Sequence, residues 1–248
     1  MRRAFLGISI EGVLRVVLGL GGVLLVWLAW PVAKSAWQAQ QADSATTALR
    51  LNHRISLGAV LNAIDALDRA VEADPTASRH LQRSELLAGV ALSPNFSPAD
   101  GQRTEWLVRA HNDLTFGLAN DPARGVAWLR LASVRMALEG PSQRSVAPLL
   151  MSIETAPMLL PLWPARLRLI LDHWQVLTVT QREKVALYVA RTWQLSAARE
   201  WFADAIRTPI DELFVRYYVR NEPGALFELS RLLEERRARA KDAAEHEG

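Results

Sequence analysis

An uncharged apolar run near the N-terminus constrains the fold of this chain more than any other feature. Residues 16–33 read VVLGLGGVLLVWLAWPVA and contain no charged side chain over eighteen positions. A run of that length reaches the lower limit for crossing the hydrocarbon core of a bilayer as a helix. Trp27, Trp30 and Trp37 lie at its C-terminal edge, and such an aromatic belt is typical of a membrane–water interface. The run predicts one transmembrane helix.

Flanking charges predict the orientation of this helix. Arg2, Arg3 and Arg15 precede the apolar run, whereas Lys34 alone follows it closely. Because positive charge is retained in the cytoplasm, we expect a cytoplasmic N-terminus and an external C-terminal domain. An Ala- and Arg-rich composition, poor in Lys and free of Cys, points to a bacterial inner membrane with this domain in the periplasm. The alternative is a cleaved signal peptide with a small-x-small site at 33–35, but its apolar core usually spans only about 7–15 residues.

The composition of the remaining chain favours helix. Ala, Leu, Arg, Glu and Gln dominate it, and 50% of all residues are apolar, which is enough for a buried core. The net charge of +3 comes from interleaved basic and acidic residues and does not indicate a nucleic-acid surface. The lack of cysteine excludes disulfides, thiolate metal sites and cysteine nucleophiles. We therefore expect an all-α protein.

A spaced pattern of small residues, leucine and proline occurs three times after the apolar run. Each copy places a small residue, a leucine and a second small residue at i, i+4 and i+7, on one helical face. A proline follows five residues later, where it ends one helix and opens the next. The copies are Ala63, Leu67, Ala70 and Pro75; Ala110, Leu114, Gly117 and Pro122; and Ser145, Leu149, Ser152 and Pro157.

This pattern resembles the second helix of a tetratricopeptide (TPR) repeat. Trp128 and Trp163 follow the second and third prolines by six residues, in the place of the tryptophan that opens a TPR unit. The prolines are 47 and 35 residues apart, near the TPR period of about 34 once the loop at 93–101 is counted as an insertion. The resemblance covers residues 58–171. It implies an α-solenoid of TPR-like helical hairpins that follows the transmembrane helix.

The sequence thus divides into five predicted segments. They are a cytoplasmic N-terminus with the transmembrane helix at 1–35, a stalk or linker helix at 36–56, TPR-like repeats at 57–175, divergent C-terminal helices at 176–240, and a flexible tail at 241–248. Within the fourth segment, Thr180 and Glu183 have the spacing of a capping box and predict the start of a helix.

The residues show no catalytic or metal-binding pattern. The five histidines have no metal-ligand spacing; they are His53, His80, His111, His173 and His246. Asp172 and His173 are adjacent, but neighbours on a helix point in different directions. If the protein is an unrecognised helical envelope enzyme, the acidic pairs would supply its acid–base groups; these pairs are Asp65 with Asp68 and Asp211 with Glu212. We predict no enzyme activity, cofactor, metal, nucleic acid or small-molecule substrate.

The TPR resemblance implies a scaffold or adaptor that binds protein partners in a membrane-associated complex. Envelope polysaccharide synthesis or export, and secretion, are the settings we expect. Candidate partner-binding residues on the first helices of the units are Arg79, Arg83, Arg130 and Arg135. A structural subunit that acts mainly through its transmembrane helix is the remaining alternative.

Overall fold

The chain forms helices throughout the part that the structure describes. The computed structural model describes residues 10–51, 53, 55–94, 96 and 99–246, and within these ranges it contains no strand, which confirms the all-α prediction. Arg2 and Arg3, on which the expected orientation depends, and positions 95, 97 and 98 of the 93–101 loop lie outside these ranges.

The α-helices, in chain order, are α1 (Ile10–Gln40), α2 (Asp43–Arg50), α3 (Leu57–Ala73), α4 (Ala77–Leu92), α5 (Asp100–Asn120), α6 (Gly125–Glu139), α7 (Gln143–Thr155), α8 (Trp163–Asp172), α9 (Val179–Trp193), α10 (Arg199–Ala205), α11 (Pro209–Val219) and α12 (Ala225–His246). Short 3-10 turns occupy Leu160–Leu162, Trp174–Val176 and Ser196–Ala198. The chain divides into two compact units, Met1–Leu86 and Leu87–Gly248, which we call unit 1 and unit 2.

Unit 1 contains the apolar helix. α1 is long and apolar enough to cross a membrane between Val17 and Gln40, and its most apolar stretch is not buried within the protein. Trp27, Trp30 and Trp37 are exposed, as expected of side chains that face lipid or its interface. Pro31 lies inside the helix without ending it.

The last turns of α1 pack into unit 1. Ser35 and Ala39 are buried, and both α1 and α2 contact α3. The Ser35 hydroxyl donates to the carbonyl oxygen of Ala70 at 2.9 Å and accepts a hydrogen bond from Nε of Arg79 at 2.9 Å. Residues 36–56 were expected to form a stalk or linker helix. In the structure most of them are helical, in the end of α1 and in α2, and their small Ala and Ser side chains allow close helix packing.

The three copies of the small-Leu-small pattern end their helices in the same way. All nine small and leucine positions are buried. The final helical hydrogen bonds run from the backbone N–H groups of Asp74, Asp121 and Ala156 to the carbonyls of Ala70, Gly117 and Ser152. The three cap residues share a similar non-helical backbone, with φ between −150° and −139° and ψ between 60° and 90°. A following proline disfavours helical geometry in the residue before it, which explains the common ending.

The prolines end helices as predicted but do not start the next ones directly. The helices that follow them begin at Ala77, Gly125 and Trp163. The carboxylate of Asp121 pairs with Nε of Arg124 at 2.6 Å, and no side chain caps the start of α6. Trp128 and Trp163 nevertheless occupy equivalent places, because each indole Nε1 donates to the carbonyl oxygen of the proline six residues earlier, at 2.7 and 3.3 Å.

Unit 2 combines sequential and non-sequential packing. α6 packs against both α5 and α7, and the short loops between them make neighbouring helices antiparallel. Later helices pair out of chain order, α8 with α10, α9 with α11, and α10 with α12. One cluster of buried side chains runs from Leu129 to Leu233 and joins these elements.

Two helix boundaries differ from those expected in the C-terminal part. Thr178 and Gln181, not Thr180 and Glu183, form the capping box of α9. Leu177, the residue before this cap, has an extended backbone and a buried side chain, which fixes the position of Thr178 at the start of the helix. α12 continues as helix to His246, through most of the segment expected to be a flexible tail.

Candidate functional site

The four arginines proposed from the sequence lie in different units. Arg79 and Arg83 belong to unit 1, where Nη1 of Arg79 donates to Gln82 at 3.1 Å and Arg83 forms a 2.9 Å ion pair with Asp68. Because Arg79 also holds Ser35 at the end of α1, its hydrogen bonds support the local fold.

The other two arginines lie on α6 in unit 2. Arg135 donates to Nε2 of His111 at 3.3 Å and to the carbonyl oxygen of Arg144 at 2.8 Å. Arg130 is half-buried and also has an interaction within the chain. Each of the four thus has a role in the fold, and partner binding by them stays a prediction.

An apolar groove in unit 2 is the strongest candidate for a binding site. It has a volume of about 420 Å³ and lies between α7 and α9, over the start of α8. Its apolar lining includes Ile153, Pro157, Met158, Trp163, Leu187 and Tyr188. Met158 and Leu187 are 65% and 53% exposed, so the groove opens to solvent. Concave apolar surfaces of this volume are where proteins receive ligand or partner side chains.

Two aromatic residues form the floor of the groove. Trp163 is 3% exposed and meets Tyr188 edge to face, with ring centroids 5.7 Å apart. Pro157 lies just after α7, and its carbonyl oxygen accepts a hydrogen bond from the indole N–H of Trp163. The floor is fixed because both the ring packing and the hydrogen bond constrain the indole.

A wholly buried arginine supports this floor from below. Nη1 of Arg166 donates to the carbonyl oxygen of Ala156 at 2.8 Å and to the Tyr188 hydroxyl at 3.3 Å, and Nη2 donates to Oγ of Ser152 at 2.9 Å. Ser152 and Ala156 lie at the C-terminal end of α7, where exposed carbonyls give the helix a partial negative charge. Arg166 therefore closes the end of α7 and positions Tyr188.

The sequence interpretation missed Arg166 because an arginine in an amphipathic helix usually faces solvent. A signal was present, since its helical neighbours Trp163 and Ile170 are both apolar and both buried. An arginine between apolar residues at i−3 and i+4 lies on the core face of its helix.

The charged residues at the groove leave a positive excess. Glu154 and Lys184 pair with each other at 3.1 Å, whereas Arg191 is exposed and forms no ion pair with any described residue. Burial raises the pKa of Tyr188, although Arg166 opposes this effect, so the phenol is neutral at physiological pH. The groove thus suits an apolar segment that carries a negative charge.

A serine and a histidine lie at a spacing used for nucleophilic catalysis, but both are buried. Oγ of Ser145 is 2.6 Å from Nε2 of His173, and Nδ1 of His173 is 2.6 Å from the carbonyl oxygen of Leu169. Both side chains have 0% exposure, and Asp172 pairs with Arg168 instead of with the imidazole. Burial lowers the pKa of His173. The contact joins the start of α7 to the end of α8.

Three of the four acidic residues named as candidate acid–base groups form ion pairs with arginines. Asp211 is buried and accepts hydrogen bonds from Arg168 and from the backbone N–H groups of Arg207 and Thr208. Burial raises its pKa, but these donors outweigh burial and hold the pKa below its ordinary value.

The other three acids do not converge on one pocket, because Glu212 lines a surface pocket with Arg236 and Arg237 that neither aspartate lines. Glu212 pairs with Arg216 at 2.8 Å, Asp68 pairs with Arg83, and Asp65 faces solvent. Across the described residues, no three His, Cys, Asp or Glu side chains are grouped as a metal site. Comparison of the chain with protein-family models, with curated proteins and with solved structures returns no match.

Proposed function

We propose that this protein is a membrane-anchored helical adaptor, and that the groove between α7 and α9 receives a segment of a protein partner. The observation that carries the proposal is the groove itself, an open apolar surface with an ordered aromatic floor in a unit joined in sequence to a membrane-type helix. Apolar side chains exposed together in a concave surface are unusual unless something covers them.

The groove offers apolar contact to one segment of a partner. Burying an exposed leucine or methionine contributes about 1.5–3 kcal/mol. Met158 and Leu187 are already partly buried, so each can supply only part of this value, and Trp163 and Tyr188 supply rigid surface beneath them. Because the floor is already ordered, binding does not have to order these rings, and this saving favours affinity.

A TPR-like scaffold on the periplasmic face of a bacterial inner membrane is the setting that we propose. The similar helix endings at Asp74, Asp121 and Ala156 and the paired Trp–Pro hydrogen bonds support a repeat relationship. An anchored adaptor of this kind suits envelope polysaccharide synthesis or export, or secretion, where a membrane complex must hold soluble segments in place.

Replacement of a groove leucine tests the proposal. Leu187→Asp places a charge in the apolar groove, and we expect it to reduce recovery of the partner about tenfold or more when the protein is purified from detergent-solubilised membranes. Val179→Asp is the matched control, because Val179 is 71% exposed on the same helix and does not line the groove. Equal recovery with wild type and Leu187→Asp would overturn the proposal, as would a turnover activity in a purified protein that recovers no partner.

A further inference from the structure

Helix α11 presents a second apolar surface, which the groove does not include. Ile210, Leu213 and Tyr217 are 58%, 66% and 53% exposed and occupy positions i, i+3 and i+7 of this helix. The opposite face is buried through Asp211 and Val215. Spacing of this kind places the three exposed side chains in one stripe along the outer face of unit 2. We call these three residues the α11 stripe.

Arginines lie at both ends of the α11 stripe. Arg207 is exposed just before the helix, and Arg220 is exposed just after it, with its guanidinium carbon 3.8 Å from the centroid of the Tyr217 ring. The acidic residues of α11 do not cancel this charge, because Asp211 pairs with Arg168 and Glu212 pairs with Arg216. The exposed face therefore combines apolar side chains, an aromatic ring and two arginines that form no ion pair with a described residue.

We propose that the α11 stripe rests on the surface of the bilayer that α1 spans, with Arg207 and Arg220 at anionic lipid headgroups. This inference rests on the membrane anchoring proposed above. Apolar side chains enter the boundary between headgroups and acyl chains, tyrosine prefers that depth, and arginine pairs with lipid phosphates. The chemistry of the face matches each of these requirements.

Two features favour a lipid surface over a protein partner. The stripe lies on the convex side of a single helix and encloses nothing, whereas the α7–α9 groove can enclose a side chain. The membrane helix α1 in the same chain also keeps unit 2 close to a bilayer, which raises the effective concentration of lipid at the stripe. A short stripe that would bind free vesicles weakly can therefore still bind this bilayer.

The absence of cysteine makes a direct measurement possible, because one introduced cysteine is the only thiol in the chain. We would attach a nitroxide to Leu213→Cys in the full chain, reconstituted in nanodiscs of phosphatidylcholine and phosphatidylglycerol. The depth of the label is measured by its collision rates with oxygen, which concentrates in lipid, and with a nickel chelate, which stays in water. We expect the Leu213 label to collide more often with oxygen than with the chelate. The exposed Thr180→Cys label, on α9, should favour the nickel chelate.

A label at Leu24→Cys in α1 separates failure of this inference from failure of the anchor. If the Leu24 label is immersed but the Leu213 label meets nickel as often as the Thr180 label does, the stripe does not touch lipid and the inference is overturned. If the Leu24 label itself lies in water, the anchoring proposal fails first. A Leu213 label shielded from both reagents would mean a protein contact and would also overturn the inference.

Removal of the two flanking charges tests the headgroup contacts separately. In the doubly substituted Arg207→Gln, Arg220→Gln protein, the ratio of bilayer-bound to free α11 stripe should fall about thirtyfold, since each arginine near an anionic surface contributes about a fivefold preference. The same fall is expected when the protein that keeps both arginines is placed in nanodiscs of phosphatidylcholine alone, which carry no anionic headgroups. An unchanged ratio in both experiments would contradict the proposed role of Arg207 and Arg220.

Discussion

At the residue scale, unit 2 buries polar side chains where helices end. Arg166 satisfies carbonyl oxygens at the end of α7, and the imidazole of His173 links Ser145 to the backbone of Leu169. A buried donor or acceptor that loses its partner costs about 1–3 kcal/mol. These residues therefore specify how α7 and α8 meet, and the apolar core alone would not fix that geometry.

The buried imidazole predicts that stability decreases at acidic pH. Burial lowers the pKa of His173 in the folded protein below the value of about 6.5 expected in the unfolded chain. The unfolded state therefore binds the proton first, so the free energy of unfolding is highest above that pH and falls as the pH decreases from about 6.5 toward the folded-state pKa. Urea unfolding at a series of pH values measures this dependence.

A neutral replacement isolates the contribution of this histidine. His173→Gln cannot take up a proton, so we expect a smaller decrease in stability on acidification than in the wild-type protein, despite a lower stability at neutral pH. His53→Gln is the control, because His53 is exposed. A wild-type pH dependence in His173→Gln would contradict the assignment.

At the element scale, close contact between α6 and α7 depends on one glycine. A Cβ atom added to Gly125 would lie 2.5 Å from Cβ of Ala156 and 3.1 Å from Oγ1 of Thr155. The Gly125 carbonyl also accepts a hydrogen bond from the buried Ser152 hydroxyl at 2.8 Å. The start of α6 and the end of α7 thus approach too closely for any larger residue.

Two glycine substitutions should have opposite effects on stability. Gly125→Ala should lower the free energy of unfolding by about 1–3 kcal/mol, because the new methyl group overlaps Ala156. Gly101→Ala should raise it by up to about 1 kcal/mol, since Gly101 lies in α5 with no atom near its Cβ direction and alanine favours helix. Chemical denaturation of both variants measures the difference, and a destabilised Gly101→Ala protein would contradict this account.

The packing of the last turns of α1 against α3 predicts that the N-terminal helix is retained. Cleavage after 33–35 would remove Ser35, whose hydroxyl joins Ala70 to Arg79 in the buried interior. We expect the intact mass of the protein from membranes to include the whole apolar run. A mass that corresponds to a chain starting at Ala36 would show a cleaved signal peptide instead.

At the scale of the whole molecule, the described residues contain one helix of membrane-spanning length, and it belongs to the first of two compact helical units. The excess of arginine before the apolar run predicts that unit 2 lies outside the cytoplasm. A membrane-impermeant maleimide should label Thr180→Cys in intact spheroplasts. It should label Ala4→Cys only after lysis, and the reverse pattern would contradict the orientation.

The sequence determined the elements whose signal is local. A run of uncharged apolar residues identifies α1 wherever it is placed, because the requirement is one of length and polarity alone. The helix endings before Pro75, Pro122 and Pro157 were also predictable, since proline restricts the backbone of its own neighbours.

Tertiary structure alone decided the features that depend on residues distant in sequence. Thr178 and Thr180 fit a capping box equally well, and the burial of Leu177 selected Thr178. The candidate site also depends on residues distant in sequence, because the groove forms only where α9 lies beside α7. The ion pair at its edge joins Glu154 to Lys184, which lie 30 residues apart. The apolar run at 16–33 specifies a helix by itself. Only packing shows that the last turns of this helix, α1, belong to the interior of unit 1.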